Sequence, residues 1–174
     1  GGIYRDVELI RLPKIYIKDF TIGLAKDSLD IIKCRVEVSD TSCKKVKLVI
    51  DELGIDTEIQ LIDGQGTIEL KAENLKLWSP ENPYLYNIKL ECGEDIITER
   101  IGFRQIKVDG NTILLNSYPI YLNGICTHEE SVENGKAITE EEIIENIKLA
   151  KELNCNYMRL AHYPHTERAA QLAD

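Results

Sequence analysis

Apolar and polar residues alternate with a period of two from Tyr4 to about Leu90, and that rhythm constrains the chain more than any other feature. It sets Ile32, Cys34, Val36 and Val38 against Lys33, Arg35 and Glu37, and it returns at Val46, Leu48 and Ile50, at Ile55, Thr57, Ile59 and Leu61, and at Tyr84, Tyr86, Ile88 and Leu90. Successive side chains of a strand point to opposite faces, so such runs are strands with one face buried. Turn-forming clusters separate them, at Ser39-Asp40-Thr41-Ser42, Asp51-Glu52-Leu53-Gly54, Asp63-Gly64-Gln65-Gly66 and Cys92-Gly93-Glu94-Asp95. Short alternating strands at this spacing predict an all-β sandwich. Leu77-Trp78-Ser79-Pro80-Glu81-Asn82-Pro83 interrupts the run with two prolines and reads as a loop pinned by a buried tryptophan.

After Arg104 the period changes, which marks the predicted domain boundary. Asn111 to Leu115 and Ile120 to Leu122 read as short strands joined through Asn116-Ser117-Tyr118-Pro119. A helix follows, with Thr139 as N-cap, Glu142 completing a capping box, and Glu140 and Glu141 at the positive end of the dipole. Ile143, Ile147 and Ala150 line one face at helical spacing, and the helix should stop near Asn154. Asn156 to Leu160 is the next strand, giving a βαβ unit with a parallel pair. Thr166 to Asp174 begins another helix. A parallel strand leading into a histidine-bearing loop is buried only by further βα units, so the chain is expected to be a fragment of a larger enzyme.

Composition limits the function classes. The chain is 43% hydrophobic and 29% charged, an ordinary globular mixture. A net charge of -9 and a pI near 4.9 oppose binding to a phosphate backbone, which draws its affinity from Lys and Arg. Nucleic acid is therefore excluded as an expected partner. No apolar run approaches the roughly 20 residues that cross a bilayer, so no membrane partner is expected, and Gly1 to Asp6 lacks the layout of a signal peptide. The compartment stays unknown, cytoplasmic or exported. The five cysteines, Cys34, Cys43, Cys92, Cys126 and Cys155, contain no Cys-x-x-Cys pair and read as free thiols. An immunoglobulin-type bridge between Cys34 and Cys92 is disfavoured, because the tryptophan that should follow the first cysteine closely lies far downstream at Trp78.

In βα architectures the loops leaving the carboxyl ends of strands carry function. The long loop Asn123 to Ile138 holds His128 and Glu129, and Ala161 to His165 holds His162 and His165, so all three histidines fall on one predicted rim. Such residues serve as metal ligands, as acid/base groups or as solvated polar loop residues. Arg159 is unusual as a guanidinium inside a barrel-type strand. If buried, it needs an anionic partner, either a core carboxylate or a catalytic one that it orients and keeps ionised.

Gly102-Phe103-Arg104, Leu115-Asn116, Pro119-Ile120, Leu122-Asn123-Gly124, His128-Glu129, Gly135, Leu149-Ala150-Lys151 and Asn156 through Pro164 together resemble glycoside hydrolase family 2, which contains β-galactosidases, β-glucuronidases and β-mannosidases. Trp78 to Tyr86 is similar to the same family's immunoglobulin-like middle domain, and Gly1 to Val7 to the last strand of its amino-terminal jelly roll. The resemblance implies a multidomain fragment: residues 1–12 as that last strand, 13–105 as an immunoglobulin-like β-sandwich, and 106–174 as the first βα units of a TIM (β/α)8 barrel. Residues 106–174 supply about two units, where a closed barrel takes about 250 residues.

The resemblance further implies that His162 lines the sugar subsite and helps stabilise the transition state, that Arg159 lies near the nucleophilic carboxylate, and that His128 and Glu129 sit near the substrate. Hydrolysis would retain configuration, with two glutamates about 5 Å apart as nucleophile and acid/base. Both are expected downstream, so no catalytic residue is assigned here and the chain is expected to be inactive alone. Where many members have Asn-Arg before the histidine, this chain has Cys126-Thr127. The expected partner is a carbohydrate, with a homo-oligomer of the full-length parent allowed and no cofactor or metal. Two other readings stand beside this one: a non-catalytic β-sandwich that binds carbohydrate or protein, and a metal site at His128, His162 and His165.

Overall fold

The computed structural model describes residues 2–174. Its alternating segments become strands: β1 (Ile17–Leu24), β2 (Ile31–Val38), β3 (Lys45–Ile50), β4 (Ile55–Gln60), β5 (Gln65–Lys71), β6 (Tyr86–Cys92) and β7 (Asp95–Ile101). They form two antiparallel sheets, one in the order β1-β2-β5 and the other β4-β3-β6-β7. Ladder registers put Cys34 opposite Ile22 and Ile68, and Leu48 opposite Thr57 and Leu90. Like faces therefore meet, and Ile32, Cys34 and Val36 share one core with Val46, Leu48, Tyr86 and Leu90. Phe103 is fully buried against it, its ring 5.5 Å from that of Tyr86. Each such side chain contributes about 1.5–3 kcal/mol by leaving water. In an immunoglobulin constant domain the fourth strand joins the sheet of the first two; here β4 pairs with β3 instead.

Trp78, expected to be buried, is half-buried. Its backbone is held on both sides, the amide N–H donating to Phe103 O at 2.8 Å and the carbonyl accepting from Asn116 Nδ2 at 2.9 Å, and Arg104 lies 4.9 Å from the ring centroid. A Cβ at Gly102 would fall 2.7 Å from the indole, so only glycine allows this approach. Cys34 and Cys92 are both buried and unbridged, as expected.

Beyond Arg104 a meander of β8 (Ile106–Asp109), β9 (Thr112–Leu115) and β10 (Tyr118–Pro119) runs in the order β10-β9-β8. The strand expected at Ile120–Leu122 is not formed. Asn116 and Ser117, at φ 52° and 71°, make a two-residue left-handed turn that reverses the chain at once and places the return strand at Tyr118. Asn116 is buried and fastens this turn, accepting from Gln105 N through Oδ1 at 2.9 Å.

By compactness the chain divides into Ile10–Pro119 and a second unit made of the residues up to Leu9 with Ile120–Asp174. The second unit contains β11 (Gly124–Thr127), α1 (Glu140–Glu152), β12 (Tyr157–Leu160) and α2 (Glu167–Ala173). β11 and β12 are parallel, with Cys126 beside Arg159, so the expected strand–helix–strand unit is present. Its first strand, however, lies inside the stretch expected as loop. Gly124 decides this, because a Cβ there would come within 2.8 Å of the Tyr157 carbonyl carbon. Asn123 and Asn156 fix the register: Asn123 N–H donates to Asn156 Oδ1 at 2.9 Å, and Asn156 Nδ2 donates to Tyr121 O at 2.9 Å.

Helix α1 has the expected capping box, with Thr139 Oγ1 accepting from Glu142 N at 3.3 Å and Glu142 Oε2 accepting from Thr139 N at 2.7 Å. Ile143 and Ala150 are buried and Ile147 half-buried. The helix ends in a Schellman motif with Asn154 at φ 57°, Cys155 N–H reaching Ala150 O at 2.9 Å. Residues 2–12, expected to contain a strand, form none, since no segment of the described chain pairs with them.

Candidate functional site

Because β11 and β12 are parallel, their carboxyl ends lie on the same edge, and each delivers a histidine: His128 directly after Thr127, His162 two residues after Leu160. Ala161 N–H extends the ladder to Thr127 O at 2.9 Å, and the two imidazoles meet with centroids 5.2 Å apart and planes at 50°. Both are exposed. His162 sits at φ 70°, a left-handed conformation that costs about 1 kcal/mol for a residue with a Cβ. Strain of this kind gathers where side-chain direction matters. No sequence signal announced it.

Tyr163, which sequence reasoning passed over, organises the rim. Its hydroxyl oxygen accepts from Glu129 N–H at 2.9 Å, its ring stacks on His165 at 5.0 Å and 20°, and Lys136 Nζ lies 5.0 Å from its centroid. His165 has its Nε2 3.3 Å from Ala161 O and lines a small cavity that His128 also lines.

Glu129, expected near the substrate, is only 6% exposed. One carboxylate oxygen accepts from Arg5 Nη2 at 2.5 Å and the other from Thr166 N–H at 2.7 Å, while Arg5 Nη2 also donates to Pro164 O at 2.8 Å. The carboxylate thus ties residues 5, 129, 164 and 166 together beneath the histidines. Both carboxylate oxygens are engaged. A buried ion of this kind is tolerable only because it is paired.

Arg159, which would need an anionic partner if buried, is exposed, with Nη1 3.9 Å from Cys126 Sγ. Strand alternation explains its direction. Met158 and Leu160 line a small cavity with Ile143, Ile147 and Ala169 of the helices, so Tyr157 and Arg159 point to the other face of the strand pair, which no helix of this unit covers. Three of the four candidate residues, His128, Arg159 and His162, therefore lie exposed on or beside one strand edge. Imidazoles and a guanidinium there can grip hydroxyl and carboxylate groups. Among the described residues no group of three or more His, Cys, Asp or Glu side chains is placed to hold a metal ion, so the three-histidine metal reading finds no support. No helix among them is long and apolar enough to cross a membrane.

Residues 15–104 match glycosyl hydrolases family 2, and residues 106–174 match the TIM barrel domain of glycosyl hydrolases family 2. A β-galactosidase of Streptococcus thermophilus is 34% identical, over 99% of this chain and 18% of its own length. A β-glucuronidase of Paenibacillus borealis is 29% identical, over 100% of this chain and 30% of its own. The solved β-glucuronidase from Ruminococcus gnavus in complex with D-glucuronic acid superposes with a TM-score of 0.79 at 29% identity, covering 94% of this chain and 29% of that one. The chain spans less than a fifth of the length of the β-galactosidases from S. thermophilus and Leuconostoc mesenteroides, 18% and 19%. It corresponds to a part of these glycoside hydrolases.

Proposed function

The chain belongs to glycosyl hydrolases family 2, and from that premise we propose that it works as part of a longer retaining β-glycosidase, of the β-galactoside or β-glucuronide type, acting on a carbohydrate. In this arrangement residues 1–12 complete a preceding jelly roll, 13–105 form the immunoglobulin-like sandwich, and 106–174 open the catalytic barrel. The parallel β11–α1–β12 unit supports the last assignment.

The observation that carries the reading is the pair of exposed imidazoles, His128 and His162, 5.2 Å apart at the carboxyl end of two parallel strands. That edge is where βα folds place their ligands. His162 and His128 are assigned to the sugar hydroxyls, and Arg159 to the charge of a carboxylate on the open strand face. Glu129 serves the substrate site from below by holding the loop that bears His162. The two glutamates of a retaining mechanism stand about 5 Å apart and are assigned to other segments of the longer protein; Glu129, whose oxygens hold Arg5 and the Thr166 N–H, is assigned the supporting role.

The test is an NMR titration of the 174-residue chain with D-galactose and with D-glucuronate, run beside an assay on aryl β-galactosides and β-glucuronides. Shifts should concentrate at His128, Arg159 and His162 and vanish in His162→Ala, while hydrolysis stays at the buffer rate. Shifts that avoid both histidines would overturn the site. Turnover that scales with protein would overturn the assignment of catalysis to other segments.

A further inference from the structure

The sandwich contains a chemically distinctive pair that the glycosidase reading does not use. Cys43 lies in the loop leading into β3 and Cys92 ends β6, and their sulfurs are 3.2 Å apart. The strands are neighbours, with Lys47 opposite Glu91, so this loop continues alongside the end of β6. A tight turn fixes it: Asp40 Oδ1 accepts from Ser42 N–H at 2.7 Å, Asp40 O accepts from Cys43 N–H at 3.2 Å, and Cys43 Sγ is 3.3 Å from Lys45 O. Cys43 is half-buried and reachable from solvent; Cys92 is 1% exposed.

We propose that Cys43 and Cys92 are an oxidation site, in which exchange with a small-molecule disulfide joins the two sulfurs and ties the β3 loop to β6. The Cys43 thiolate attacks the external disulfide, forming a mixed disulfide and expelling one thiol. Cys92 then loses its proton, attacks the Cys43 sulfur and expels the second thiol. Two protein thiols are oxidised, and one external disulfide is reduced to two thiols. Accessibility sets the order, since an external disulfide reaches Cys43 and not Cys92. Burial, reinforced by Cys43 itself and by Asp95, pushes the Cys92 thiol up to about 12, so the second step is the slow one. The other cysteines are differently placed. Cys34 is sealed in the core, its thiol pushed up to about 11 by burial, Cys126 is exposed on β11, and Cys155 is half-buried after α1.

The partners are 49 positions apart in sequence, so the bridge would close a long loop of the unfolded chain. Such closure raises the unfolding midpoint of a domain this size by on the order of 10 °C. The test incubates the 174-residue chain with oxidised glutathione, blocks free thiols with iodoacetamide, and maps peptides without reduction while following thermal unfolding. A peptide joining Cys43 to Cys92, a higher midpoint that reverts with dithiothreitol, and loss of both in Cys43→Ser but not in Cys126→Ser are expected. Because Cys43 is half-buried, its serine variant should fold; Cys92→Ala, which buries no new polar group, provides the second arm and should show glutathione retained on Cys43. Glutathione held on Cys43 of the unaltered chain, crosslinks confined to Cys126 or Cys155, or equal midpoints for oxidised and reduced protein would overturn the proposal.

Discussion

Gly124→Ala tests how far the rim depends on the contact between β11 and β12. The added Cβ would lie 2.8 Å from the Tyr157 carbonyl carbon and still nearer its oxygen. Carbon atoms rest about 3.5–4.0 Å apart, so the strands must separate locally by roughly 1 Å. Ladder bonds near 2.9 Å would then stretch past the range in which they count as bonds. Losing about two of them at about 1 kcal/mol each, or accepting overpacking of about 1–3 kcal/mol, gives a loss of about 1–3 kcal/mol for this ladder. At tenfold per 1.4 kcal/mol, amide-exchange protection across Tyr157–Leu160 should fall roughly 5- to 140-fold. The cross-peaks between the His128 and His162 rings should weaken with it. Unchanged protection together with an intact ring–ring contact would refute the argument that only glycine fits at this position.

Glu129→Gln keeps the shape but removes the charge that holds Arg5; because Arg5 is 41% exposed, the loss should be about 1–2 kcal/mol, read as earlier urea unfolding of the Thr166–Asp174 amides. Phe103→Ala should cost the sandwich about 3–5 kcal/mol, since Phe103 is fully buried, and a denaturation midpoint that hardly moves would place its ring outside the core. Acid should fray the start of α1. The Thr139 backbone N–H, the largest cause, with Ser131 and Asn134, holds the Glu142 carboxyl below its ordinary value of 4.5. A depressed carboxyl contributes stability above its unfolded value and loses it as pH falls through the lower folded value. Protection of the first turn should therefore decline below about pH 4.5, and Glu142→Gln should flatten that pH dependence.

Legibility followed burial. The runs read clearly from the sequence, at Ile32–Val38, Val46–Ile50 and Tyr84–Leu90, become β2, β3 and β6, each with a neighbour on both sides and an inner face sealed from water. β1, β5 and β7, which the alternation did not single out, are edge strands, and Ile96 of β7 is 57% exposed; β4, read from the sequence at Ile55–Leu61, is an edge strand too. An edge strand has one partner and less to bury, which weakens its alternation, except where, as at Ile59 and Leu61, its inner residues are still buried in the core. Helix α1 was legible because its capping box is local, three residues from donor to acceptor. The strand at Gly124–Thr127 was not, because what defines it is a close approach to a segment more than thirty residues away.

The sequence by itself determined the sandwich, the succession of strand, helix and strand, and the placing of His128 and His162 on one rim, for all of these rest on periodicity, spacing and resemblance along the chain. Only tertiary structure decided that Glu129 is bound beneath the rim by Arg5, that His162 is held at φ 70°, that Arg159 stands exposed, and that Cys92 meets Cys43. A side chain's residue type reveals what it can bond to. Which partner it finds depends on distances that exist only once remote segments have packed.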